Sequence, residues 1–196
     1  MLERLEQVLA RTAPEVLAAI EPSPGASDQD LAEMSQYLGF VLPSAFRNLY
    51  RRHDGPVDPG LAWLWGVEWL NTHEVVDYKD LMDGVLASGA YADYAPDEWW
   101  SGGWIPFGDD RSGHRALVLD LHGSYAGPPG QVLLVGAKSP SRTALAPDFA
   151  TFLDLLVAVF DQERFERAGR GFWFEPGDLH ASVCPGYPRN FEPRRA

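Results

Sequence analysis

The sequence holds a single cysteine, Cys184, which excludes both a disulfide framework and a cysteine-rich zinc site. Basic residues are scarce: 16 Lys and Arg stand against 28 Asp and Glu, for a formal net charge of −12. Proteins gain affinity for nucleic acid by neutralising phosphates with Lys and Arg, so this balance argues against a nucleic-acid partner. It is compatible with a basic protein partner, or with solubility alone. No run approaches the ~18 consecutive apolar residues of a membrane span. The opening residues, Met1 to Leu17, are amphipathic and lack the apolar core of a secretory signal. A soluble, cytoplasmic protein with no membrane partner is therefore expected. Gly-x-Gly-x-x-Gly is absent, and Gly102-Gly103 precedes a strand pattern instead of opening a helix, so there is no phosphate cradle and no cofactor is expected. Internal repeats and low-complexity segments are also missing.

What is present is an apolar content of 45% over 196 residues, enough for one real core. Seven Trp and ten Phe exceed what a minimal core needs, so some are candidates for a contact surface. The organising stretch runs from Gly102 to Val135 and reads as three strands: Trp104 to Phe107, Arg115 to Leu121 and Gln131 to Val135. Asp109, Asp110 and Gly113 supply the first reversal, and Gly127 to Gly130 breaks the chain before the third strand. Ala116, Val118 and Asp120 alternate with Leu117, Leu119 and Leu121, which predicts a sheet covered on one side by helices.

Helical spacing covers residues 1–20, with a break at Pro14 and Thr12 as the expected cap of the second piece. Ser27 and Asp30 form a capping-box start for a helix that Gly39 stops. Pro43 and Ser44 open another, with Phe46, Leu49 and Tyr50 facing inward and Asp54-Gly55 at its end. A turn is expected from Pro56 to Gly60, then one or two strands around Gly66, then a helix capped by Thr72. Residues 89–103 read as irregular. After the three strands come a loop, a short edge strand ending near Leu145, and a long helix from Asp148 to Ala168. Residues 1–170 are expected to form one domain, and residues 171–196 a Gly/Pro/aromatic extension.

This order resembles the SUKH superfamily, named partly after the yeast cell-wall assembly regulators of the Smi/Knr type. The resemblance rests on Leu38-Gly39, Leu42-Pro43, Phe46 with Tyr50, and Asp54-Gly55. It continues through Trp104 to Asp110, Gly113, Leu119 to Leu121 and Gly130 to Val132, and ends on the helix of Phe149, Phe152 and Leu153. It implies an α+β fold, with N-terminal helices and a long C-terminal helix packed on a mostly antiparallel sheet. It also implies no enzymatic activity. Bacterial members of the superfamily are largely immunity proteins that neutralise a cognate toxin, often a nuclease, whereas fungal members are regulatory scaffolds. The expectation is an immunity protein of the bacterial branch, with a regulatory module of the Smi/Knr type as the alternative.

Charge is concentrated. Residues 51–100 hold ten acids against three bases, a net of −7 out of −12. Within them, Asp93, Asp97, Glu98, Trp99 and Trp100 set aromatics among acids, as contact with a basic protein toxin requires. Burial of Trp99 or Trp100 in the core is the competing reading. Glu74, Asp77 and Asp80 recur three apart and drift around their helix, which reads as a solvated face. Asp109 and Asp110 cap their own turn, join the partner surface, or hold a divalent ion with His114, Asp120 and His122 in a metal-dependent hydrolase. Strand geometry separates the two ends of that cluster by more than ~20 Å, so no metal site is assigned. Ser112, His114 and Asp120 lack the strand-turn-helix setting of a catalytic triad. His53 and His73 read as helix-end residues, and Cys184 as a structural thiol. No catalytic residue is assigned.

Overall fold

The structure, a computed structural model, describes residues 1–57, 60–136 and 138–196. Asp58 and Pro59, within the turn expected from Pro56 to Gly60, and Ala137 lie outside the described residues. The elements in chain order are helices α1 (Leu2–Thr12), α2 (Pro14–Ile20), α3 (Asp28–Leu38) and α4 (Ser44–Arg52), strand β1 (Glu68–Trp69) and helix α5 (Thr72–Ala87). Strands β2 (Trp104–Asp109), β3 (Ala116–Asp120), β4 (Gln131–Gly136) and β5 (Ser139–Ala146) follow, then α6 (Phe149–Asp161), β6 (Phe165–Ala168), β7 (Gly171–Phe174), α7 (Asp178–Val183) and β8 (Arg189–Phe191). The main sheet is six-stranded and antiparallel, in the order β1-β2-β3-β4-β5-β8, and β6 and β7 pair as a separate hairpin. The fold is α+β.

Leu117, Leu119, Ile105, Phe107 and Val132 on one face of the sheet pack with α1, α4 and α6 in the main core. The other face is also buried, contrary to the expectation of a one-sided cover. Ala116, Val118, Leu133, Val135 and Ala144 meet Trp100 and Trp104 and Met82 of α5 in a second, smaller cluster. The mixed face is thus sealed by α5 and residues 91–104. Asp120 stays inside because its carboxylate accepts the backbone N–H groups of His122, Gly123 and Ser124 and the Gln131 amide.

The caps follow local chemistry. Ser27 and Asp30 make the capping box of α3, and Gly39 ends that helix at φ 74°. Helix α5 is capped by Asn71, not Thr72, with Glu74 closing the box. Thr72 instead donates from its hydroxyl to Asp54, at 2.9 Å, while its N–H reaches the other oxygen at 2.8 Å. Asp54 therefore fastens the end of α4 to the start of α5. Gly55, at φ 78°, brings its backbone so close to Asn71 that a Cβ would lie 3.0 Å from the Asn71 Cβ. Thr12 does not cap α2; its hydroxyl donates back to the Val8 carbonyl.

The C-terminal third departs furthest from expectation. Helix α6 ends at Asp161, not Ala168, and Phe165–Ala168 pairs with β7 as a strand. The longest helix is α5, at 16 residues against 13 for α6. Strand β5 runs for eight residues and is an inner strand, because β8 pairs along it as Arg142↔Phe191, Thr143↔Asn190 and Ala144↔Arg189. Among the described residues, no helix is long and apolar enough to cross a membrane.

Candidate functional site

The Asp109–Asp110 turn joins three elements. Asp109, at the end of β2, pairs in register with Ala116 and with Glu68 of β1. Its side chain is buried, and Oδ1 has no hydrogen-bond partner. Burial raises its pKa above the ordinary Asp value, and the Arg111 backbone N–H only partly offsets this. Asp110 accepts the Ser112 N–H at 2.9 Å and so caps the turn. Arg111, at φ 58°, projects outward and bridges Glu68 at 3.1 Å and Glu74 at 2.8 Å. Asp120 lies at the other end of β3, paired with Trp104, so the acids and histidines of this hairpin do not converge. The Ser112 hydroxyl accepts the His114 backbone N–H, and Asp120 is remote from both. Among the described residues, no group of three His, Cys, Asp or Glu is placed to hold a metal ion.

The acidic-aromatic segment divides. Asp93 and Asp97 are exposed, whereas Trp100 is buried against Tyr78 and Trp104 and donates its indole N–H to Asp83 at 2.9 Å. Trp99 packs 4.2 Å from Tyr94, ring to ring, beneath the guanidinium of Arg142 at 4.8 Å. Glu98 is buried and holds Arg194 through two hydrogen bonds of 2.5 Å. Burial of Glu98 works to raise its pKa, but the bonds from Arg194 outweigh this and leave it below the usual Glu value. This pairing and the placement of Arg142 escape sequence reading, because the partners lie 96 and 43 residues apart with no local signature.

Other acids are already neutralised. Lys79 pairs with Asp83 one helical turn on, and Arg111 holds Glu68 and Glu74. Asp77, Asp80, Asp93 and Asp97 have no ion pair among the described residues. Asp77 and Asp80 adjoin a groove of about 240 Å³ between α3 and α5, whose lining includes Asp30, Glu33, Met34, Tyr37, Val76 and Asp77. Tyr37 is 61% exposed and donates to Asp80 at 2.6 Å. Leu81, one helical position on, is also 61% exposed. The groove thus sets Met34, Tyr37 and Val76 beside the carboxylates of Asp30, Glu33 and Asp77. The α5 acids were legible in the sequence as a solvated face; the α3 acids and Tyr37 were not, because their proximity arises from helix packing.

The remaining candidates have structural surroundings. His53 is buried at the end of α4, with Nε2 2.8 Å from Glu6. His73 is exposed in the first turn of α5 and lines the groove. Cys184 is fully buried, and burial, with Asp148 and Asp154 nearby, pushes its thiol up to about 11.

The residues that assemble this scaffold match a known family. The chain belongs to the SMI1 / KNR4 family (SUKH-1), whose profile covers residues 25–155, from the α3 capping box to the middle of α6. A curated relative, the cell wall biosynthesis/cell cycle regulator smi1 of Schizosaccharomyces pombe, is 27% identical over 160 residues. That alignment covers 71% of this chain and 31% of the relative, so the chain spans under a third of that protein's length.

Proposed function

We propose that the chain is a non-enzymatic protein-binding domain acting in the cytoplasm as an immunity protein, which binds a cognate, basic toxin and blocks its substrate access by occlusion. The observation that carries this reading is four exposed acids on α5 and the segment after it, Asp77, Asp80, Asp93 and Asp97, with no ion pair among the described residues, together with the groove lined by Tyr37, Asp30 and Glu33. Aromatic and apolar side chains supply contact area, and the surrounding carboxylates speed the encounter with a basic surface. In this reading Asp110 and the buried Asp109 shape the neighbouring turn and do not serve as anchors.

The test is association kinetics with the co-purified partner. Replacing Asp77 and Asp80 with Lys should slow association by about tenfold at low ionic strength, with the difference shrinking as salt is added. Unchanged association rates would refute the surface assignment. A second reading, a regulatory or scaffold module without a toxin partner, is favoured by the Schizosaccharomyces pombe relative, a cell wall biosynthesis/cell cycle regulator. A toxin gene beside this one supports the first reading, and a neighbourhood without one supports the second.

A further inference from the structure

Residues 93–98 pair with the chain's own C-terminal segment through Asp93, Tyr94, Ala95 and Glu98, and the contact has the form of peptide recognition. The Ala95 N–H donates to the Arg194 carbonyl at 2.9 Å, and the Ala196 N–H donates to the Asp93 carbonyl at 3.0 Å. Tyr94 and Arg195 thus face each other as an antiparallel bridge. Both the backbone N–H and the Nε of Arg194 donate to the Glu98 carboxylate, each at 2.5 Å. The Arg195 guanidinium lies 5.3 Å above the Tyr94 ring. Main-chain pairing of this kind gives affinity to any extended segment, and the side-chain contacts select among segments. Here the selection is for two successive arginines, one held by a carboxylate and the next by an aromatic face.

The receiving side is built and the occupying side is not. Glu98 is buried, and its backbone carbonyl accepts the Tyr125 hydroxyl. Tyr94 rests on Trp99, and Trp99 is held from above by Arg142, a fully buried side chain that also donates to the Trp99 carbonyl at 2.9 Å. Arg194, Arg195 and Ala196 are all exposed, with 80% of the Arg194 side chain open to solvent. Removing the two arginine side chains therefore leaves the carboxylate, the ring and the backbone groups of the receiving side in place.

We propose that residues 93–99 form a docking site for an extended Arg-Arg segment of a basic partner protein, and that Arg194-Arg195 of this chain fill it in cis. The inference rests on the protein-binding reading above and names the segment that the partner presents. A tethered segment acts at an effective concentration on the order of millimolar, so a partner must exceed that threshold to displace the tail.

The experiment uses the full chain and a fluorescein-labelled peptide of residues 189–196, followed by fluorescence anisotropy. The R194A/R195A variant, whose tail keeps only its main-chain hydrogen bonds, should bind this peptide at least about tenfold more tightly than the wild type, whose tail is held by both arginine side chains as well. Adding Glu98→Gln to that variant should remove the gain, and circular dichroism checks that both variants are folded. Equal affinity for wild type and R194A/R195A, or no binding to either up to about 1 mM, would overturn the proposal. Those results would leave the wider protein-binding reading standing, because that reading fails separately, on the absence of a stoichiometric partner.

Discussion

Among single residues, Asp109 carries the clearest electrostatic cost. Its folded pKa is raised, so the folded protein holds this proton more tightly than the unfolded chain does. Its contribution to stability is therefore greatest at low pH and is lost as pH rises through the carboxylate range. Asp109→Asn has no such titration. The melting temperature of D109N minus that of wild type should accordingly increase between about pH 3 and about pH 7. A difference that is flat across this range would contradict the burial account. Cys184 gives a second check. With its thiol pushed up to about 11 and fully buried, it should resist alkylation at neutral pH in the native protein and react readily in denaturant. Thiol labelling with and without guanidinium reads this directly. Sequence reading placed Asp109 in the turn from the Asp/Gly composition, whereas the structure makes it the last residue of β2, paired with Ala116 of β3 and with Glu68 of the two-residue β1, which has no local signature.

For the elements, the aromatic helix α4, inside the region that matches the family, is a packing junction. Phe46 of α4 lies against Tyr50, Phe107 of β2 and Phe149 of α6, with ring centroids 4.8–6.0 Å apart. Phe46→Ala should cost about 3–5 kcal/mol, measured by denaturant unfolding. A loss under about 1 kcal/mol would show that the junction is not central. Gly25 marks a close approach of a different kind, since a Cβ there would lie 1.8 Å from the Arg51 carbonyl oxygen. Gly25→Ala must displace backbone and should destabilise by about 1–3 kcal/mol in the same assay. The boundaries of α3 were legible because a capping box and a terminal glycine are local signals. The end of α6 was not. No local signal marks it: the reversal uses Glu163 at φ 52°, with no glycine to announce it. Pairing with β7 outweighs the local helical pattern, and β8 likewise converts the expected edge strand β5 into an inner one.

For the whole molecule, the α+β order and the family were readable from the spacing of the Leu-Gly, Leu-Pro and Trp104-to-Asp110 motifs, because those residues make the sheet and its main helical cover. The charge surplus and its concentration in residues 51–100 were readable, but which of those acids find a cation was not. Folding pairs Glu68, Glu74, Asp83 and Glu98 with cations and leaves Asp77, Asp80, Asp93 and Asp97 outward. In the proposed function these outward acids serve a basic protein partner. The most direct measurement is quantitative co-purification of the tagged full chain from the source lysate, with wild type beside an Asp77→Lys/Asp80→Lys/Asp93→Lys/Asp97→Lys variant. One stoichiometric partner should co-purify with wild type, weakened by added salt and lost with the variant. No stoichiometric partner, or one held equally well by both proteins, would contradict it.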